Sequence, residues 1–303
     1  MMDTVGAPSN RDDAGPRRLL ERASIEVTAR DSVAVDTLPE RFAPGTDVHV
    51  TFLPDDDLDQ TAETCVRLRR AGFNPTPHLT ARNFTDRVAL DRQLGRLSDE
   101  AGVTRALVIA GDVPSPRGPY ASSLELLKTG LIEKHGIRSV LLAGHPEAHP
   151  AVSANAMEKA LQEKLAYARA HDLVTEIVTQ FAFEAPPILD WLVRLRARGI
   201  DAPVRFGLAG PAGAATLLKY GMRCGVGNSI RALRRRAGTI GKLMGDTTPD
   251  ELLADLAAGL RSQELGPFAG IHIYTFGGMR KTSDWLAKAR QRASEAVAKD
   301  EVE

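Results

Sequence analysis

The sequence predicts an α/β fold, a (β/α)8 TIM barrel, and three observations carry that reading. Eight short apolar runs alternate with longer amphipathic segments over most of the 303 residues. Most of the runs are Val/Ile/Leu-rich without strict alternation, the pattern of strands buried on both faces of a parallel sheet. Eight such units is the number that closes a barrel. An open doubly wound sheet is the competitor, but no G-x-G-x-x-G follows the first run, which weakens its dinucleotide-binding version.

Residues 1–20 are rich in Asp, Arg, Pro and Gly and read as a flexible tail, leaving 21–303 as one catalytic barrel domain. The eight predicted strands are Ser24–Thr28, Val48–Leu53, Thr76–Thr80, Ala106–Ala110, Ser139–Ala143, Glu176–Phe181, Val204–Leu208 and Gly270–Thr275. Apolar residues at helical spacing predict helices over Leu58–Ala71, Ser122–His135, Met157–Ala170, Pro187–Arg198 and Asp250–Arg261, with Thr282–Ala296 after the last strand. Between strands seven and eight the chain is long. It holds three candidate extra helices, roughly Ala212–Cys224, Ser229–Met244 and Thr248–Gln263. A long βα connection lies on the face of a barrel where ligand sites form.

Composition excludes several classes. Lys plus Arg and Asp plus Glu each number 39, so the chain lacks the basic excess of a nucleic-acid or anionic-membrane binder. No apolar run approaches the ~20 residues that span a bilayer. The start, Met-Met-Asp-Thr, has no apolar signal core, and two cysteines, Cys65 and Cys224, make no disulfide framework. A cytoplasmic protein with reduced thiols is the expectation.

The informative residues sit where predicted strands end. Glu26 is a carboxylate in an otherwise apolar strand. Facing a barrel interior, it would be desolvated, raised in pKa and able to donate a proton; an exposed edge glutamate is the bland alternative. Strand three ends Pro77-His78-Leu79-Thr80, strand four Ala110-Gly111-Asp112-Val113-Pro114, strand five Gly144-His145-Pro146-Glu147-Ala148-His149-Pro150, strand six Thr179-Gln180-Phe181-Ala182-Phe183. Three of the seven histidines thus fall at predicted strand ends. His145, Glu147 and His149 have metal-ligand spacing, but prolines flank them and make a turn, and no metal is expected.

These motifs together resemble methylenetetrahydrofolate reductase, a flavoprotein barrel. Ser24-Ile25-Glu26, Val50-Thr51-Phe52, Pro77–Thr80, Gly111-Asp112-Val113-Pro114 with Tyr120-Ala121, His145–Pro150, Thr179–Phe183 and Ile273-Tyr274-Thr275-Phe276 follow the family's motifs in the same order from residue 24 to about 276. The resemblance implies interconversion of 5,10-methylenetetrahydrofolate and 5-methyltetrahydrofolate by hydride transfer through FAD, with NAD(P)H as electron partner. It implies Glu26 as the acid that opens the folate ring, and Asp112 as a charge beside the reacting cation. Thr51, His78, Gly111, Asp112, Tyr120, Ala121, His145, His149 and Lys164 would hold the flavin. Glu26, Asp112, Gln180, Phe183 and Arg280 would meet the folate. The sequence departs from the family where its arginine before Gly-Asp is Ala110, where its tyrosine is His145, and where the acidic turn Asp55–Asp57 replaces a glycine-rich one. The flavin end is the weakened one. A basic run, Arg231, Arg234, Arg235 and Arg236, is read either as a phosphate or glutamate contact or as a solvated helix face. Direct hydride transfer from NAD(P)H without flavin, and a non-catalytic folate-binding delivery subunit, stay open as alternatives. So does a homo-oligomer.

Overall fold

The computed structural model describes residues 15–147, 149, 152–224, 226, 246–263 and 265–300. Eight parallel strands close a barrel in the order β1-β10-β7-β6-β5-β4-β3-β2. They are β1 (Ser24–Thr28), β2 (Asp47–Thr51), β3 (Asn74–Thr80), β4 (Arg105–Ile109), β5 (Ser139–Gly144), β6 (Val174–Thr179), β7 (Val204–Ala209) and β10 (Phe268–Tyr274). A two-residue ribbon, β8 (Ala212–Gly213) against β9 (Asp246–Thr247), sits in the long connection between β7 and β10. The barrel expected from the alternation is therefore the barrel observed, with strand ends displaced by at most two residues.

Alternation within each strand builds two cores. Outward residues such as Ile25, Val27, Val48, Val50, Val140, Leu142, Phe206 and Ile271 pack against the surrounding helices in the main apolar cluster. Inside the barrel, Leu107, Leu141 and Val178 fill the β4–β6 side with a small cluster of their own. The β1–β3 and β10 side of the interior is polar: Ser24, His49, Thr76 and His272 are each at most 1% exposed. Beneath them four charged side chains from four strands close the floor. Arg105 donates to Asp47 at 2.6 Å and lies 3.4 Å from Glu176, while Arg205 donates to Glu176 at 2.5 Å and lies 3.9 Å from Asp47. Two cations and two anions alternate, so the four charges of the floor balance, while the buried Nε of Arg105 is left without a hydrogen-bond partner.

Two strand contacts are held open for backbone. A Cβ on Gly207 would meet the Thr179 carbonyl oxygen at 2.3 Å, and the Gly207 N–H donates to Thr179 Oγ1 at 2.8 Å. Gly270 has φ +114, and a Cβ there would meet the Arg22 carbonyl oxygen at 2.6 Å. Only glycine fits either place.

Several sequence expectations are corrected. The tail is shorter than residues 1–20: Pro16–Glu21 is a helix whose Leu19 and Leu20 are 1% exposed, with Arg290 donating to the Leu20 carbonyl. An apolar pair flanked by arginines gave too short a periodic signal to show this. Ser122–His135 is two short helices, Ser123–Leu127 and Leu131–Lys134, because Gly130 between them has φ +68. A helix over Arg87–Asp99, capped by Asp86, was not anticipated. In the long connection, Ala214–Cys224 and Asp250–Ser262 are helical as expected. The helix expected at Ser229–Met244 and the basic run at 231–236 lie outside the described residues.

Candidate active site at the barrel mouth

Each strand of the barrel ends on the same face, and Glu26 stands there on the interior side of β1. Its side chain is 14% exposed. Burial pushes its carboxyl up to about 7, against an opposing pull from His78 and the Thr275 backbone N–H. The edge-glutamate alternative is thus excluded by position. Glu26 Oε2 lies 3.7 Å from His272 Nε2, and the Thr275 hydroxyl donates to the Glu26 carbonyl at 3.2 Å. The other nitrogen of His272, Nδ1, is 2.9 Å from Ser24 Oγ. Burial holds His272 down to about 3 and His78 to about 4, so both rings are neutral near pH 7.

An aromatic wall faces this acid. Phe181, Phe183, Leu217, Tyr220, Tyr274 and Phe276 belong to a second apolar cluster at the mouth. Tyr220 stacks on Phe276 with centroids 4.6 Å apart, and Phe181 meets Tyr274 edge-on at 5.3 Å. The Tyr274 hydroxyl donates to the Thr179 carbonyl at 3.1 Å. The helix Ala214–Cys224 brings its last turn across the mouth. Arg223 reaches to 4.0 Å from Asp112 at the end of β4, and desolvation, helped by the charges of Asp112 and Glu26, pushes the half-buried Cys224 thiol up to about 11. Apolar walls, a neutral carboxylic acid and a few polar edges suit a planar heteroaromatic ligand.

The sequence-selected residues divide into three groups. Glu26, His78, Gln180 and Phe183 stand at the mouth, but His78 points inward, 3.3 Å from His49, and Gln180 turns its amide oxygen back to the Phe181 N–H at 3.0 Å. Asp112 is at the mouth, with its side chain 75% exposed. A second group is taken up by structure. Tyr120 is packed in the main apolar core, Ala121 donates to Glu125 and accepts from Arg82, and the Thr51 hydroxyl donates to Val27. Gly111 has φ +94, and a Cβ there would crowd Thr80 and Asn83 at 3.1 Å, while Arg280 is exposed at the start of the last helix. The partners of these five within the fold are backbone, core or solvent.

The third group gathers at the end of β5. The rings of His145 and His149 meet edge-on at 5.5 Å. Lys164, 9% exposed on the barrel side of its helix, is lowered by burial to about 8, and His145 is lowered to about 4 by burial and by the His149 and Lys164 charges. His145 Nδ1 is buried without a hydrogen-bond partner. An anionic group would satisfy both the lysine and that nitrogen. Among the described residues no three His, Cys, Asp or Glu side chains are arranged to hold a metal ion. The acidic turn is less repulsive than its sequence: Asp56 is tied to Arg30 and to the Leu53 N–H, and Asp57 caps the following helix.

Sequence reasoning passed over His49, His272 and Tyr220. The first two are single histidines inside apolar strands, but both sit two residues from another polar inward residue, a period-two signal that marks them.

No helix among the described residues is long and apolar enough to cross a membrane. No family model matches the chain. Among solved structures it is similar to the carboxyl transferase domain of Rhizobium etli pyruvate carboxylase with 3-hydroxypyruvate, at 11% identity and a TM-score of 0.44, over 96% of this chain and 52% of that one. It is also similar to beta-N-acetylhexosaminidase from Beutenbergia cavernae, at 12% identity and a TM-score of 0.38, over 92% of this chain and 98% of that one. The chain spans about half the length of the carboxyl transferase chain it matches.

Proposed function

We propose that this barrel is a folate oxidoreductase that interconverts 5,10-methylenetetrahydrofolate and 5-methyltetrahydrofolate in the cytoplasm, using FAD and NAD(P)H. The observation that supports the reading is Glu26. It is a carboxyl group kept half-protonated near pH 7 by burial, placed at the mouth beside an aromatic wall. Opening the five-membered ring of the folate requires a proton on the departing N10, and a carboxylic acid with that pKa both holds and releases one at neutral pH.

The remaining residues fit subsidiary roles. Tyr274, Phe181 and Phe276 offer faces on which a pterin ring stacks. Gln180 has a donor and an acceptor for the pterin edge once its amide turns from the Phe181 N–H. Asp112, solvated and 4.0 Å from Arg223, puts a negative charge beside the helix that crosses the mouth. Lys164, His145 and His149 would hold the phosphates of FAD, which supplies hydride acceptance and donation when bound. The test is spectral. Purified protein given FAD should develop a bound-flavin spectrum, bleach with NADH, and recover colour on adding methylenetetrahydrofolate. Folate turnover without any flavin binding would select direct hydride transfer from NAD(P)H, and no turnover in either direction would reject the oxidoreductase reading.

A further inference from the structure

We propose that the lower face of the barrel carries a second binding site, for an organic anion that presents one anionic head on an apolar body. The site is separate from the mouth and does not depend on the folate reading.

The cavity lies below the charged floor, where the strands begin. It has a volume of about 840 Å³. The segments leading into β1, β2, β7 and β10 line it, together with Glu176 on β6 and Arg290 on the last helix. Small-molecule sites occupy about 300–1,000 Å³, so the space suits a ligand of that size.

The charges on the lining do not cancel. Three carboxylates face the cavity, and each has its own guanidinium. Glu21 accepts from Arg17 at 2.8 Å, Asp47 from Arg105 at 2.6 Å and Glu176 from Arg205 at 2.5 Å. Two further arginines of the lining, Arg22 and Arg290, are left over, and among the described residues neither forms an ion pair. Glu21 acts on Arg290 from a distance but is already paired with Arg17. Arg290 gives Nε and Nη2 to the Leu20 carbonyl at 3.2 and 3.0 Å, which fixes its guanidinium and leaves Nη1 for a ligand. Arg22 is exposed, and its guanidinium has no hydrogen-bond partner among the described residues. The lower face of a barrel ordinarily serves stability. The paired charges of the floor do so, whereas the Arg22 side chain adds no contact to it.

Much of the remaining lining is apolar, with Pro44, Pro203, Pro267 and Phe268 at its centre. Proline has no N–H. The carbonyls of Pro203 and Pro267 accept from the N–H groups of Ile177 and Val204 at 2.8 and 3.2 Å, so these residues turn ring faces to the cavity. Phe268 is held against Phe206 with centroids 5.6 Å apart. A bare inorganic anion would leave this apolar wall wet, and a neutral apolar molecule would leave two guanidiniums unpaired. A molecule with both parts answers each: its oxyanion takes Arg22 and Nη1 of Arg290, and its body covers Phe268 and the prolines.

The test titrates the full chain with anilinonaphthalene sulfonate, followed by its fluorescence, and in parallel with phenylnaphthylamine, which has the same rings and no charge. The sulfonate should bind saturably and about tenfold or more tightly than the neutral probe. Arg22→Glu reverses an unpaired charge, and Ala43→Trp fills the cavity from an exposed position. Each should weaken the sulfonate by about tenfold or more, with circular dichroism showing both variants folded. Equal affinity for the two probes would overturn the anionic head. Sulfonate binding unchanged in the folded variants would put the probe elsewhere, such as the aromatic mouth, and overturn the site. No saturable binding would overturn it outright. Should either variant fail to fold, Arg22→Gln, which removes the charge and keeps the chain polar, gives the same decision.

Discussion

Glu26 Oε2 and His272 Nε2 face each other at 3.7 Å, an acid that holds its proton up to about pH 7 beside a ring that stays neutral down to about pH 3. Neither is charged on the acid side of neutrality, so the pair is two dipoles and not a salt bridge. Replacing Glu26 by Gln keeps the shape and removes the proton. We expect folate turnover to fall roughly 10²-fold or more, with FAD reduction by NADH much less affected, because only the folate half needs an acid. Stopped-flow measurement of the two halves checks this; equal losses would point to structural damage.

The same carboxyl fixes a pH dependence of stability. Its folded pKa of about 7 lies above the ordinary value of 4.5, so its contribution is fully present below about pH 4.5 and is lost as pH rises to about 7. The span corresponds to about 3 kcal/mol. Urea unfolding at pH 5 and pH 8 should therefore show a steeper loss in the wild type than in Glu26→Gln, and the variant should be the more stable at pH 8.

His78 and His272 run the other way. Their folded values of about 4 and about 3 lie below 6.5, so stability is lost as pH falls from 6.5 toward those values. Acid unfolding should begin below about pH 6, and His78→Gln should shift its midpoint to lower pH. Circular dichroism during acid titration reads that midpoint.

The floor predicts a cost for breaking one of its four charges. Glu176→Gln leaves Arg205, 5% exposed, without its nearest carboxylate, and should destabilise by about 3 kcal/mol. A thermal melt checks it, and an unchanged midpoint would mean that Asp47 alone satisfies both arginines.

At the end of β5, Lys164→Met should weaken FAD binding, while Ala110→Arg restores a cation at β4 and should tighten it. Each change is worth about a kcal/mol if the group is partly exposed in the complex. Calorimetric titration with FAD measures both directions.

The barrel was legible because its strands are apolar runs buried on both faces, a signal contained within five to seven residues each. Glu26 was legible for the converse reason, as a carboxylate in such a run. The floor was not: Asp47, Arg105, Glu176 and Arg205 meet through hydrogen bonds that span 29, 58 and 71 residues, and nothing near any one of them in sequence announces its partner. Asp112, chosen by motif, came out solvated because the loop after β4 carries it past the strand end. Tyr120 is packed in the main apolar core, and a buried phenol and a cofactor contact look alike in one dimension.

Glu26 stands on the first barrel strand, whereas Tyr220, Arg223 and Cys224 arrive on a helix nearly two hundred positions later, outside the barrel's repeating plan. The part that makes the acid and the part that shapes the entrance are therefore separately mutable. Libraries at Leu217, Tyr220 and Arg223 would change which ligands are admitted while the strand that sets the acidity of Glu26 stays as it is, so selectivity can drift under selection without the chemistry being rebuilt.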